Sequence, residues 1–359
     1  MAAPNNPMEQ SHTGSDPSTV SKKTFTIAGI QTDVFGLEEL PPSATEVACL
    51  WLLHPRKQRK ETMTPVAMTS VQEWNNRVKD GRAGLSSKGL IAVAFDQRNH
   101  GTRLVDELAN EAWRQGNQRH AQDMFSIYQG TGTDTSLLLD YLPAYAFPRG
   151  ERQLTTNLVL GVSLGAHAAW HCIMNDSRFI AAVIVVGCPD FLALMADRAR
   201  KSKLESWTSS KPPGSQFFGS PDFPPALLQT VQVYDPASTL ISMLDVNDED
   251  RLSRLSKPER ERLRPVMEDR LGGRKILNMA GGDDKLVPYS CGEAFLKFLK
   301  GAVAPGGWFS GQGTSIEDIV YDGVGHEFTP AMRERALNFI CDILLTDGAA
   351  APGNIAAKI

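Results

Sequence analysis

Cysteine is scarce in this chain: five in 359 residues, an odd number, widely spaced and mostly set in apolar runs. Cys49, Cys172, Cys188, Cys291 and Cys341 therefore read as reduced core thiols, which excludes a disulfide framework and a zinc site. No apolar run approaches the roughly 20 residues of a membrane span. Charge of either sign is not in excess, with 37 Lys and Arg against 41 Asp and Glu. No basic stripe interleaved with aromatics occurs, so nucleic acid is not an expected partner. Neither a phosphate-cradling glycine loop nor metal-ligand spacing is found, and no cofactor or metal is expected. Residues 1–23 are rich in Pro and Ser and lack an apolar segment; they read as a disordered tail without a secretory signal. The closing Ala-Lys-Ile is not a peroxisomal address. These absences make a cytoplasmic location the expectation.

What is present is an ordinary globular composition, 42% hydrophobic and 22% charged, in a chain long enough for one domain with an insertion. Phe25 to Val34 alternates as a first strand. Val47–Leu53, Leu90–Phe95, Leu158–Leu160, Ala181–Val186 and Lys275–Ala280 are apolar throughout, and Asp318–Tyr321 follows as a last strand. Helical stretches lie between them: Pro65–Val78, Val105–Gln115, Asp134–Tyr141, the segment after Leu160, a run near Cys291–Leu299, and Pro330 to Leu345. Apolar strands alternating with helices predict an α/β fold, a mostly parallel sheet covered on both faces. Residues 191–270 break the alternation with Pro212-Pro213-Gly214, Pro221-Asp222-Phe223-Pro224-Pro225 and a charged helical run from Asp248 to Arg270. They read as an inserted helical lid or cap, or else as surface helices on the sheet edge. The expected organisation is a core over 24–190 and 271–346, the insertion at 191–270, and flexible tails at 1–23 and 347–359.

The most informative local pattern is Gly161-Val162-Ser163-Leu164-Gly165, between the strand ending at Leu160 and a helix opening at Ala166. Strand, G-x-S-x-G and helix in that order form a nucleophile elbow. The turn is so sharp that the positions two before and two after the serine must be small. It lifts the Ser163 hydroxyl above the sheet edge, at a helix start where free N–H groups favour developing negative charge. A tight structural turn is the plain alternative.

A serine hydroxyl attacks only when a base takes its proton, and the base needs an orienting carboxylate. With this elbow the acid and then the histidine follow the serine in the chain. Of seven histidines, only His167, His171 and His326 come after Ser163. The first two lie on the elbow helix and read as helix-face residues. His326, in Asp322-Gly323-Val324-Gly325-His326, sits on a glycine-rich loop after a strand and is the candidate base. The candidate acid is Asp284 in Gly281-Gly282-Asp283-Asp284-Lys285-Leu286-Val287-Pro288, with Asp190 and Asp283 as competitors. An oxyanion hole would use the N–H groups of Leu164 and Arg56, because Pro55 in His54-Pro55-Arg56 has none. The Arg56 side chain is either exposed or in contact with an anionic substrate group.

These three segments, together with Asp96-Gln97-Arg98-Asn99-His100-Gly101, resemble the α/β-hydrolase superfamily in type, order and spacing over residues 25–345. Gly-Val-Gly-His-Glu-Phe-Thr-Pro is most similar to esterases related to the prolyl-oligopeptidase and dienelactone-hydrolase branches. The resemblance implies a serine hydrolase of the carboxylesterase kind, with a small-molecule ester or thioester as substrate and an acyl-serine intermediate. Acyl transfer, C–C bond hydrolysis in secondary metabolism, and a non-catalytic binding protein on the same scaffold are the alternatives. The chain lacks the length for the propeller of prolyl oligopeptidases, has serine where dienelactone hydrolases have cysteine, and has His54-Pro55 in place of His-Gly. By position Asp96 and His100 organise the neighbouring loop, Asp96 through backbone N–H groups and His100 at the pocket wall.

Overall fold

The computed structural model describes residues 6–9, 20–83, 88–244 and 255–347. Among them eight strands form one sheet: β1 (Lys22–Ile27), β2 (Ile30–Phe35), β3 (Glu46–Leu53), β4 (Gly89–Phe95), β5 (Gln153–Val162), β6 (Phe179–Val185), β7 (Lys275–Gly281) and β8 (Ser315–Tyr321). Their spatial order is β1-β2-β4-β3-β5-β6-β7-β8. β1 and β2 run antiparallel to their neighbours, and every pairing from β4 to β8 is parallel. The predicted α/β class with a mostly parallel sheet is what the chain adopts. Right-handed crossover helices are the usual means of joining such strands.

The period-2 geometry of strands divides the apolar runs between two cores. In β3, Leu50 and Leu52 face one side, packing with Trp74, Phe339 and Ile340. Cys49, Trp51 and Leu53 face the other, packing with Phe125, Trp170 and Phe295. The first side is covered by α1 (Thr64–Lys79), and the second by α2 (His120–Ala146) and α3 (Leu164–Asn175). α1 begins with proline in its first turn and ends with Arg77 and Lys79, which suits both ends of its dipole.

Residues 191–271 hold α4 (Phe191–Ser202), α5 (Glu205–Thr208), α6 (Pro225–Tyr234), α7 (Pro236–Ile241) and α8 (Lys257–Leu271). They continue the α2 side of the core. Phe191 meets Phe125 with ring centroids 5.0 Å apart, and Phe217 meets Trp113 at 6.0 Å. Phe217 and Phe223 are fully buried, whereas Phe218 is partly exposed. Each fully buried phenylalanine contributes about 1.5–3 kcal/mol. α9 (Glu293–Val303) and α10 (Pro330–Asp347) complete the chain. No helix among the described residues is long and apolar enough to cross a membrane.

Three expected elements differ. The single strand over Phe25–Val34 is a hairpin of β1 and β2. Ala28 and Gly29 reverse the chain with φ of 49° and 80°, as a two-residue hairpin turn requires, so the alternation runs through a turn. The helix over Val105–Gln115 is instead two short 3-10 turns, Leu108–Asn110 and Trp113–Gln115. The helix expected at Asp134–Tyr141 is the second half of the 27-residue α2. Gly130 and Gly132 obscure it in the sequence, and both are crowded by tertiary packing: a Cβ at Gly130 would lie 2.5 Å from Arg98 Nη1, and one at Gly132 would overlap the His171 ring. The charged run resolves into α8, and its portion at 248–254 lies outside the described residues, as do most of the N-terminal tail and the tail from 348. Lys22 and Lys23, placed in that N-terminal tail, belong to β1.

Candidate active site

Ser163 leaves β5 with φ 55° and ψ −115°, a strained conformation for a residue with a Cβ. Its N–H donates to Val185 O (2.9 Å), which ties the turn to β6. A Cβ at Gly161 would overlap the Gly165 carbonyl, and one at Gly165 would overlap Leu53 O and lie 2.8 Å from His54 O. Both glycines are therefore demanded by backbone-to-backbone approach. Leu164 and Gly165 open α3, where N–H groups have no acceptor within the helix.

The β7 and β8 loops meet at the same sheet edge. A Cβ at Gly281 would lie 2.5 Å from Val324 O and overlap Gly325 O, so a glycine lets the two loops touch. The structure brings Ser163, His326 and Asp284 together. His326 Nε2 is 2.8 Å from Ser163 Oγ, and His326 Nδ1 is 2.7 Å from Asp284 Oδ2. Asp284 Oδ1 accepts the N–H groups of Leu286 (2.8 Å) and Val287 (2.9 Å). Asp284 and Ser163 are both buried. With Nδ1–H donating to the carboxylate, Nε2 is left as the acceptor that faces the hydroxyl.

The other acid candidates are occupied differently. Asp190 caps α4 by accepting from Ala193 N (2.9 Å). The Asp283 side chain is exposed, and its N–H donates to Val324 O (2.9 Å). Asp96 accepts from Lys60 N (2.8 Å), Thr102 N (2.9 Å) and Thr102 Oγ1 (2.8 Å), so it shapes the adjoining loop.

Arg56 follows β3, whose Leu53 pairs with Gly161 of β5. Its loop therefore reaches the edge beside Ser163. His54 in the same loop is neutral: Nδ1 donates to Pro55 O (2.8 Å) while Nε2 accepts from Gln97 N (3.0 Å). Burial and the neighbouring His100 push its pKa down to about 3.

No protein-family model and no curated protein matches the chain. Solved structures do. TT1662 from Thermus thermophilus is 18% identical, with a TM-score of 0.54, and the match covers 91% of this chain and 99% of that one. A puromycin-hydrolyzing peptidase from Mycobacterium tuberculosis is 13% identical, with a TM-score of 0.50. That match covers 94% of this chain and 40% of the peptidase. The chain has the α/β-hydrolase fold.

Around the elbow of this α/β-hydrolase fold lie Arg198, which sequence reasoning missed, and His167, which is on α3 as expected and buried, with Nδ1 2.9 Å from Ser163 O. Burial first, then the charges of Arg198, His326 and Arg56, push its pKa down to about 3. Arg198 of α4 places Nη1 3.0 Å from His120 Nε2 and 2.9 Å from Met124 Sδ, and Nη2 donates to Leu286 O (3.3 Å). Its spacing held the signal. Phe191, Leu194, Met195 and Arg198 follow the i, i+3, i+4, i+7 pattern, so the arginine lies on the buried apolar face of its helix.

Proposed function

We propose that the protein is a serine hydrolase that cleaves a carboxylic ester or thioester by way of an acyl-serine. The single observation that carries this reading is the hydrogen-bonded line from Ser163 Oγ through His326 to Asp284, at 2.8 and 2.7 Å. His326 Nε2 takes the Ser163 proton as the hydroxyl attacks the carbonyl carbon. Asp284 holds the imidazole in the tautomer that leaves Nε2 free, and stabilises the imidazolium once it forms. The N–H groups of Leu164 and Arg56 face the oxyanion of the tetrahedral intermediate. His326 then returns the proton to the leaving group. In the second half-reaction it takes a proton from water, which attacks the acyl carbon and releases the acid.

The insertion at 191–270 is proposed as the lid that shapes the substrate pocket, with α4 in contact with the acid loop: Arg198 donates to Leu286 O at 3.3 Å. The chain spans 40% of the length of the puromycin-hydrolyzing peptidase it resembles in fold, so that peptidase's activity does not carry over.

The experiment is labelling with a fluorophosphonate probe at neutral pH, on wild type, Ser163→Ala and His326→Ala, followed by an ester panel. Labelling mapped to Ser163 and lost in both variants is expected. A folded wild-type protein that takes up no probe would overturn the reading.

A further inference from the structure

We propose that the Arg56 and Arg198 guanidinium groups form a carboxylate-binding subsite beside Ser163, so that the substrate carries a free carboxylate in addition to its scissile ester or thioester. The inference rests on the proposed serine chemistry and adds the charge of the substrate to it.

The two arginines come from different elements, the loop after β3 and α4. Arg56 lies three residues beyond Leu53, and Ser163 lies two beyond Gly161, the partner of Leu53 in the sheet. Both therefore leave the sheet at one edge. Arg198 donates to Leu286 O (3.3 Å), and the Leu286 N–H is itself held by Asp284 Oδ1 (2.8 Å). Arg198 thus borders the loop of the proposed catalytic acid. Both guanidinium charges act on His167, whose Nδ1 is 2.9 Å from the backbone oxygen of Ser163.

Among the described residues neither guanidinium is ion-paired with a carboxylate, although the charges of Glu111 and Asp284 act on Arg56 and Arg198 respectively. Arg56 Nη1 is a buried donor with no hydrogen-bond partner among the described residues. Glu111, whose charge acts on Arg56, is already ion-paired with Lys57 at 2.5 Å. The partners of Arg198 are an imidazole, a thioether and a carbonyl, all uncharged. His120 and His167 are held in the neutral form, chiefly by burial and further by these two arginines. Asp284 is committed to His326 and two backbone N–H groups. Each guanidinium also pushes the pKa of its surroundings down: burial and then Arg56 lower that of Arg198. A guanidinium stays protonated at neutral pH, so the strain persists until an anion arrives. A carboxylate suits the site because its two coplanar oxygens match the guanidinium fork.

The test is calorimetric binding to the full-length Ser163→Ala protein, which cannot turn substrate over. The probes are monomethyl esters of four- to six-carbon dicarboxylic acids, each paired with its neutral dimethyl ester. The best half ester is expected to bind about tenfold or more tightly than its dimethyl partner, the worth of one charge-assisted hydrogen bond. Adding Arg198→Met should abolish that preference, and Arg198→Lys should retain part of it. A merely structural role for Arg198 would weaken charged and neutral esters alike. Equal binding of half ester and dimethyl ester across the series, no binding by any half ester, or a preference that survives Arg198→Met would overturn the proposal. Should Arg198→Met fail to fold, Arg56→Met probes the other guanidinium with the same ligand pairs. Fluorophosphonate labelling of wild type reads the serine chemistry separately, so each reading can fail without the other.

Discussion

Replacing Asp284 by asparagine separates orientation from packing at the proposed catalytic site. The carboxylate makes three hydrogen bonds: Oδ1 accepts from Leu286 N (2.8 Å) and Val287 N (2.9 Å), and Oδ2 accepts from His326 Nδ1 (2.7 Å). An asparagine of the same shape can keep its oxygen on the two backbone N–H groups. Its NH2 group then faces His326 Nδ1 and can only donate. The imidazole must place its proton on Nε2, the atom 2.8 Å from Ser163 Oγ, and it can no longer accept the serine proton. Loss of the correct tautomer in serine-histidine-carboxylate sites costs about 10⁴ in rate, equivalent to about 5.5 kcal/mol in the barrier. The fold should change little, because both backbone donors stay satisfied. Asp284→Ala differs in that it strands two N–H groups, each costing about 1–3 kcal/mol. The assay is the second-order rate of fluorophosphonate labelling, with urea unfolding run in parallel. The expected pattern is a loss of about three to four orders of magnitude for Asp284→Asn with a near wild-type unfolding midpoint. Labelling within tenfold of wild type would refute the reasoning, since the carboxylate would then not set the tautomer.

Gly165→Ala is expected to destabilise the fold by about 2–4 kcal/mol, because overpacking against rigid backbone cannot relax by a rotamer change; the new Cβ would overlap Leu53 O. Urea unfolding measures it, and a wild-type midpoint would contradict the close approach. Acid should weaken the protein well above the pH at which carboxylates titrate. Burial lowers the pKa of His54 and His167 to about 3 and that of His171 to about 4. Their folded values lie below the unfolded value near 6.5, so this stability is full above pH 6.5 and is lost as pH falls towards 3. Each such histidine adds a slope of up to about 1.4 kcal/mol per pH unit below that point. Unfolding midpoints measured from pH 7.5 to 5 should fall steadily, and a flat profile would mean these rings are not buried neutral.

The candidate site divides cleanly by range of interaction. The elbow was legible because G-x-S-x-G within a few residues meets a local steric demand, visible as the closeness of Gly161, Gly165 and the Leu53 carbonyl. The apolar strands were legible because burial on both faces removes polar residues from the run. The hairpin at Ala28-Gly29 was missed because alternation persists through a two-residue turn. The full extent of α2 was missed because Gly130 and Gly132 serve Arg98 and His171, residues distant in sequence. The same limit hid Arg198, whose partners Met124 and Leu286 are 74 and 88 residues away.

By itself, then, the amino-acid order determined the strand-helix alternation, the strained serine turn and a short set of acid and base candidates. Each of these is an interaction between neighbours in the chain, or a solvation preference of a short segment. Tertiary structure alone decided which of Asp190, Asp283 and Asp284 meets His326, because all three sit at strand ends and only the contact of the Gly281 and Gly325 loops selects one. It alone also set Arg198 of α4 against Leu286 of the acid loop. Burying guanidinium groups is unfavourable for any chain segment considered separately, so no local pattern in the sequence announces it.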